Sequence, residues 1–286
     1  MRLLKYLIND VREQTDNEDV NGVSDKEIIR YFQDCIKSIQ TIVFKSSPTC
    51  AYFQKTYEIS GPINGKSFPL PSDVYTDNKV TMVETTIDNT EYWRTLKNGW
   101  AEEQHYLFGW YVRNKEIHFS GTPYDDTTRK ARVTYYYKLK RWDKVWAEVD
   151  SIVGQTIKIV NFDKDLFDVD NTISIFSDED TKVGTFKYKK VADDEIEVVG
   201  DISVVTPGSF ILMGDSELHI NLPDEVETYI LDYVSKRIFS RNNYTLDTNK
   251  VDFFTQEARN DIVSIFADSK NTMIAPPIMD TDYLSI

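Results

Sequence analysis

The side chains of this chain that could do acid-base or metal chemistry are widely scattered. Its three histidines, His105, His118 and His219, match no zinc-binding spacing, so each is interpreted as a strand or loop residue. The acidic pairs Asp125-Asp126 and Asp193-Asp194 are adjacent in sequence, which is typical of turns rather than of two carboxylates facing each other across a substrate. The sequence therefore offers no acid-base pair.

A run rich in acidic residues, 163–170, has the composition of a calcium-binding loop. Its fifth position is Phe167, and Asp168 replaces the glycine that gives an EF-hand loop its sharp turn, so an EF-hand is excluded. A loose surface cation site at this run is kept as an alternative. A nucleophile elbow, a phosphate-binding glycine loop and a dinucleotide-binding motif are also missing from the sequence. We therefore expect no catalytic residue, no resident metal and no cofactor, and we expect that the protein is not an enzyme.

Aromatic side chains are concentrated between residues 92 and 146, and they allow two interpretations. They could form a platform on which sugars stack, which would make the chain a carbohydrate-binding tail protein. They could instead build the core of a sheet and its subunit contacts, and we favour this interpretation because no basic groove accompanies them. The tryptophans concerned are Trp93, Trp100, Trp110, Trp142 and Trp146.

The charge of the chain excludes some partners. A net charge of −14 argues against a nucleic-acid-binding face, because phosphate contacts need clustered Lys and Arg. Residues 148–217 hold sixteen acidic residues and six lysines, so one segment carries most of the acidity. This segment could line a channel through which DNA slides without sticking, or it could keep a protruding module soluble.

Targeting signals and cysteines indicate a cytoplasmic site of assembly. The apolar residues before Asp10 are too few and too interrupted for a signal peptide, and no longer stretch resembles a membrane span, so we expect no membrane partner. Cys35 and Cys50 have no metal-ligand spacing around them. Cys35 is interpreted as core packing, which suits a reducing compartment.

Helices are predicted at both ends of the chain. Ser24 and Glu27 have the spacing of a capping box and should start a helix that extends to Phe44. Pro223 should open a second helix, and a third is predicted to begin near Thr248. A short apolar segment around Leu7 completes a small bundle. The predicted buried stripes are Ile28, Phe32, Cys35, Ile36, Ile39 and Val43 in the first helix; Val226, Ile230, Tyr233, Val234 and Ile238 in the second; and Val251, Phe254, Ala258, Ile262 and Ile265 in the third.

The middle of the chain has the pattern of strands separated by turns. Strands are predicted near 56–60, 80–84, 116–120 and 132–138, and five more between 156 and 213 indicate a small barrel or sandwich. The sequence thus predicts an α+β protein. Its predicted parts are residues 1–55 and 222–270 as the helical bundle, 56–147 as an aromatic-rich antiparallel region, 148–221 as an inserted acidic barrel, and 271–286 as an extended arm.

The predicted arm is apolar without being periodic. Pro276 and Pro277 fix the backbone and remove two donors, so the segment favours an extended conformation. Stretched out, it would reach roughly 50 Å, far enough to touch a neighbouring subunit. A tail folded over its own domain is the alternative. The residues predicted to bind a partner are Met273, Ile274, Pro276, Pro277, Ile278, Met279, Tyr283, Leu284 and Ile286.

The order of these parts resembles a known family. Four stretches carry the resemblance: the helix from Ser24 to Phe44, the segment Ser67 to Tyr75 with its Leu-Pro-Ser-Asp at 70–73, the run Arg132 to Tyr137, and the helix from Leu222 to Arg237. Together they are similar to the corresponding parts of head-to-tail connector (adaptor) proteins of short-tailed, podovirus-type bacteriophages and of ring proteins of crAss-like phages.

The resemblance implies a structural virion protein without enzymatic activity. Members of this family form a ring, commonly of twelve copies, under the portal protein, join the capsid to the tail rings and let genomic DNA pass without sequence-specific binding. A segment after the last helix often grips the portal, which is the role implied for residues 271–286. The implied location is the head-tail junction of the virion, after assembly in the host cytoplasm.

Overall fold

The structure is a computed structural model that describes residues 2–15, 22–46, 50–63, 65–76, 79–86, 92–99, 109–120, 130–162, 172–242 and 253–268. The chain forms two compact units. The first unit consists of Met1–Pro48 and Leu139–Asp268, and the second unit consists of Thr49–Lys138. The predicted fold class is confirmed: helices lie at both chain ends, and between them are antiparallel sheets and a closed barrel of six strands.

The helices of the first unit are α1 (Leu4–Gln14), α2 (Asp25–Ser46), α3 (Glu227–Asn242) and α4 (Gln256–Asp268). The predicted capping interaction is present, since the backbone N–H of Glu27 donates to the Ser24 hydroxyl at 3.3 Å. The predicted stripes of α2 and α3 are buried throughout. Contacts of α2 with α1, α3 and α4 show that the chain ends form one bundle.

The start of the last helix differs from the prediction. Residues 253–255 precede the helix, which begins at Gln256. The hydroxyl of Thr255 accepts a hydrogen bond from the backbone N–H of Ala258 at 3.2 Å, so Thr255 caps the helix. Phe254 therefore contributes to the core from the segment before the helix, and Ile262 is buried on the helix itself, as predicted. Ala258 and Ile265 were predicted to be buried but are only half-buried, and Val251 lies outside the described residues.

The second unit contains two four-stranded sheets. The first has the order β1 (Gln54–Ile59), β8 (Ala131–Tyr136), β3 (Val80–Thr86) and β4 (Trp93–Thr95), and all its neighbours are antiparallel. The second has the order β2 (Ser67–Pro69), β7 (Glu116–Phe119), β6 (Gly109–Arg113) and β5 (Lys97–Asn98). Only its β5–β6 pair is parallel.

The barrel in the first unit closes in the order β10 (Ala147–Val153), β11 (Thr156–Val160), β14 (Glu195–Val199), β13 (Lys182–Ala192), β12 (Thr172–Phe176) and β15 (Phe210–Met213). Five of these strands were predicted, and β10 was missed. A register shift between Val149 and Ser151 breaks the alternation of its side chains, so the sequence lacks a clear two-residue period there. Beside the barrel, β9 (Arg141–Trp142) pairs with β16 (Ser216–Glu217).

Gly200, which follows β14, has a backbone conformation that residues with a side chain rarely adopt. Its φ is +141°, and a Cβ atom would lie 3.0 Å from a ring carbon of Phe186. We expect Gly200→Ala to lower the free energy of unfolding by about 1 to 2 kcal/mol, measured by urea denaturation. Gly154→Ala is the control, because Gly154 has a φ of +64° with no atom in reach of a Cβ. Equal losses in both variants would show that Phe186 moves aside.

Candidate interaction surfaces

The residues predicted to bind a partner, Met273 to Ile286, lie outside the described residues. The described chain stops with α4, which ends at Asp268. Phe266, near this end, is buried, so the last described turn of the helix is held in the core.

The candidate chemical groups stay apart in the structure. His118 lies on β7 with its ring stacked on Tyr111, at 4.8 Å between centroids, and His219 lies 3.3 Å from a carboxylate oxygen of Asp180. Asp193 and Asp194 lie in the turn between β13 and β14, as predicted. Among the described residues, no group of three or more His, Cys, Asp or Glu side chains could hold a metal ion. His105, Asp125-Asp126 and the run 163–170 lie outside the described residues.

The aromatic residues support the core interpretation where they are described. Trp110, Trp142 and Trp146 are buried, and the indole N–H of Trp110 donates to the carbonyl of Leu96 at 3.2 Å. Trp93 is half-buried, and the Arg132 guanidinium lies 4.1 Å from its ring centroid. Tyr135, Tyr136 and Tyr137 are also buried. Trp100 lies outside the described residues.

Asp73, the last residue of the Leu-Pro-Ser-Asp motif, ties the first sheet of the second unit together. Its carboxylate accepts a hydrogen bond from the Tyr135 hydroxyl at 2.8 Å and pairs with the Lys55 ammonium at 2.8 Å. Burial raises the pKa of Tyr135, and the hydrogen bond to Asp73 raises it further. Burial also opposes ionisation of Asp73, but Lys55 and Tyr135 together hold its pKa below the ordinary value. The motif therefore has a structural role.

An open groove of about 360 Å³ lies between α2, α3 and the start of α4. Among the described residues, its lining combines an aromatic floor with two cations and contains no acidic side chain. Lys37 on α2 is exposed, and Arg259 on α4 is half-buried. The volume is near the lower end of the range for ligand sites, about 300 to 1,000 Å³, so the groove fits one or two side chains better than a cofactor. The lining residues are Lys37, Ser38, Thr41, Ile42, Tyr233, Phe253, Phe254 and Arg259.

The floor of the groove is stiffened by Arg237 on α3. Its guanidinium lies 4.8 Å from the ring centroid of Phe253 and 5.9 Å from that of Tyr233, and it pairs with Asp34 at 3.4 Å. The Phe254 ring lies 5.0 Å from the Tyr233 ring. These contacts join three separate parts of the chain, so the aromatic floor is fixed in place before any partner binds.

A second surface is the hairpin tip, which we define as residues 191–194: the last two residues of β13 and the turn that leads to β14. It combines apolar and acidic chemistry. Val191 is 56% exposed, and the side chains of Asp193 and Asp194 are 71% and 48% exposed. Lys190 lies 3.7 Å from Asp193 and Lys158 lies 3.9 Å from Asp194, which are long distances for ion pairs at a surface and contribute little. The hairpin tip therefore presents carboxylates and a valine to solvent.

The segment 141–146 joins the bundle to the barrel within the first unit. Trp142 enters the core beside α2, and the ammonium of Lys144 pairs with Asp25 at the start of α2. Asp143 is fully buried. One of its oxygens accepts from the Trp146 indole N–H and the Lys144 backbone N–H, both at 2.9 Å. The other oxygen makes no hydrogen bond with a described residue and lies 3.1 Å from the Arg141 guanidinium. Burial raises the pKa of Asp143 above its ordinary value, and the nearby Arg141 cation only partly opposes this.

Sequence reasoning did not find the groove or the exposed hairpin tip. Lys37 and Arg259 are ordinary surface residues in the sequence, and only the packing of α4 on α2 brings them together. The turn at Asp193 and Asp194 was predicted, but its exposure and the neighbouring exposed Val191 depend on the closure of the barrel.

Comparison with models of known protein families gave no match, and comparison with curated protein sequences gave none either. Among the described helices, none is both long and apolar enough to span a membrane.

Proposed function

We propose that this protein is a structural virion protein: a head-to-tail connector that forms a ring under the portal protein, joins the capsid to the tail and lets genomic DNA pass. The observation that carries the proposal is the helical bundle made from both chain ends. The motif order described above supports the same assignment. In this proposal the protein acts through contacts between proteins and not through a reaction.

The surfaces of the first unit are consistent with a role in assembly. The groove offers an aromatic floor beside two cations, and its volume fits one or two side chains of a partner protein. The hairpin tip exposes one apolar and two acidic side chains. The carbohydrate-binding alternative needs exposed tryptophans, whereas Trp110, Trp142 and Trp146 are buried. We therefore do not develop that alternative.

The proposal is tested by the mass of the assembly. The purified full-length chain would be measured alone and mixed with the portal protein encoded beside it, by light scattering and native mass spectrometry. We expect a fixed multi-copy ring, commonly twelve copies, on the portal. If the two proteins do not associate at any ionic strength, the connector function is wrong.

The arm gives a sharper prediction. We expect deletion of residues 271–286 to abolish portal attachment and to leave the far-UV circular dichroism spectrum and the unfolding midpoint unchanged. The reason is that a tethered apolar segment adds a contact from every subunit, and the combined avidity is lost when all arms are removed. The measurement is co-sedimentation with the portal.

A length-matched pair of variants separates apolar contact from mere chain length. Changing Ile278, Met279, Tyr283 and Leu284 to serine should have the effect of the deletion, whereas changing Asn271, Thr272, Thr281 and Ser285 to alanine should preserve attachment. Portal binding by the serine variant would rule out the arm as the portal contact.

A further inference from the structure

The groove is a basic and apolar site on an acidic protein. The chain has a net charge of −14, yet the charged residues that line the groove, within the part of the chain that the structure describes, are the cations Lys37 and Arg259. Its floor is aromatic and held by Arg237. A partner that fits this site should present a small apolar side chain next to carboxylates, because only that combination satisfies both the floor and the cations.

The hairpin tip of the same protein has this chemistry. Val191 is an exposed apolar side chain of suitable size, and Asp193 and Asp194 extend beside it. The end of β13 and the turn after it hold these three residues on a closed barrel, so little conformational entropy is lost when they are bound. Both surfaces belong to the first unit, and each is present once in every copy of the chain.

We propose that the groove of one copy binds the hairpin tip of a second copy. In this contact Val191 packs on Phe253 and Tyr233, and Asp193 and Asp194 pair with Lys37 and Arg259. The interface joins two different surfaces, so each copy uses one surface on either side and the contact can continue from copy to copy. It rests on the proposed function, because it is the side-by-side contact that would build the ring.

The repulsion between acidic copies favours this arrangement over other self-contacts. Two surfaces of a chain with net charge −14 normally repel each other, and the repulsion is strongest at low ionic strength. Where a cationic groove faces a pair of carboxylates, the electrostatic interaction between the two copies is attractive at that place. Added salt screens both the partly exposed charge pairs of this contact and the repulsion between the copies, so exchange of the charges, and not salt dependence, identifies the contact.

The test exchanges the charges across the proposed contact in the full-length protein. We expect Lys37→Glu and Asp193→Lys, each alone, to weaken self-association by at least about ten-fold, and the double variant to recover most of the loss. Sedimentation velocity over a concentration series and native mass spectrometry, both with and without the portal protein, give the readout. Lys26→Glu, on the exposed side of α2, and Asp178→Lys, in another exposed turn, are matched controls that should assemble as the wild type does.

The outcomes separate this contact from the proposed function. If the wild type forms a ring on the portal and Lys37→Glu or Asp193→Lys forms it equally well, the proposed contact is wrong and the connector function stands. Folded single variants that fail to assemble, without recovery in the double variant, would also overturn the pairing. A wild-type chain that stays monomeric with and without the portal would overturn both.

Discussion

Trp142→Ala is expected to lower the free energy of unfolding of the first unit by about 3 to 5 kcal/mol, the range measured when large aromatic side chains are removed from a core. The Trp142 side chain is fully buried, and its ring meets Phe32 of α2 edge-on, with 5.9 Å between the centroids. Because these atoms lie between helix and strand, neither element can close the cavity without moving.

The indole N–H of Trp142 adds to this loss. It donates to the Leu218 carbonyl at 3.1 Å, whereas the backbone carbonyl of residue 142, which accepts a hydrogen bond from the Gln33 side chain, is kept in the variant. Leu218 belongs to a buried cluster with Phe176 and Leu212 of the barrel. Removing the indole therefore leaves the Leu218 carbonyl unsatisfied at the place where the barrel meets the bundle, which costs about 1 to 3 kcal/mol for a buried group.

The measurement is urea denaturation followed by circular dichroism at a helical wavelength, since the change removes a fluorophore. Trp142→Phe is an intermediate variant, because it keeps a six-membered ring in the core and loses the five-membered ring with its N–H, so its loss should lie below that of Trp142→Ala. Trp93→Ala is the second comparison; that residue is half-buried in the second unit, and its loss should be smaller. A loss below about 1 kcal/mol for Trp142→Ala would contradict the role of this side chain in joining helix and barrel.

The sequence predicted the parts of the fold whose pattern is local. The stripe of α2 and the capping interaction of Ser24 have a helical period and a fixed spacing, so they could be predicted residue by residue. Strands β11 and β14 were predicted with their observed bounds because their alternation is regular. Strand β10 was missed because a bulge shifts its alternation, and the last helix was started too early because Thr255, and not a residue near Thr248, caps it.

The candidate surfaces were much less predictable than the elements. A groove between three helices depends on residues far apart in the sequence, such as Lys37 and Arg259, and no periodicity connects them. The segment 141–146 was noted only for its tryptophans. Its role as a connection is set by long-range contacts, from Trp142 to Leu218 and from Lys144 to Asp25, that have no local signature. The arm at residues 271–286 remains a prediction from the sequence.

Asp25→Asn is expected to destabilise the first unit by about 2 to 3 kcal/mol at pH 7. Asp25 pairs with Arg12 at 2.5 Å and with Lys144, and the Arg12 side chain is only 9% exposed. Losing the carboxylate leaves a nearly buried guanidinium without its counter-charge, a change that costs about 3 to 5 kcal/mol when both partners are fully buried. The expected value is lower because the Asp25 side chain is 26% exposed and asparagine can still accept a hydrogen bond.

The pH dependence of this difference identifies the ion pair as its cause. Burial opposes the charge on Asp25, but hydrogen bonds from Lys144 and Arg12 lower its pKa below the ordinary value of 3.8. A carboxyl group with a lowered pKa in the folded state stabilises the fold fully above its unfolded pKa, and this stabilisation is lost as the pH falls through the folded pKa. The wild type and Asp25→Asn should therefore differ most at neutral pH and converge as the pH falls below 3.8.

Asp232→Asn provides the matched control, because it makes the same chemical change in an exposed pair. Asp232 lies 2.5 Å from Lys236 one helical turn away, and its side chain is about half exposed. Such pairs contribute about 0.3 to 0.5 kcal/mol. Urea denaturation of all three proteins between pH 2.5 and pH 7 gives the comparison. If the deficit of Asp25→Asn stays constant over this range, the loss comes from packing and not from the charge, and the ion pair is not what holds α1, α2 and the segment 141–146 together.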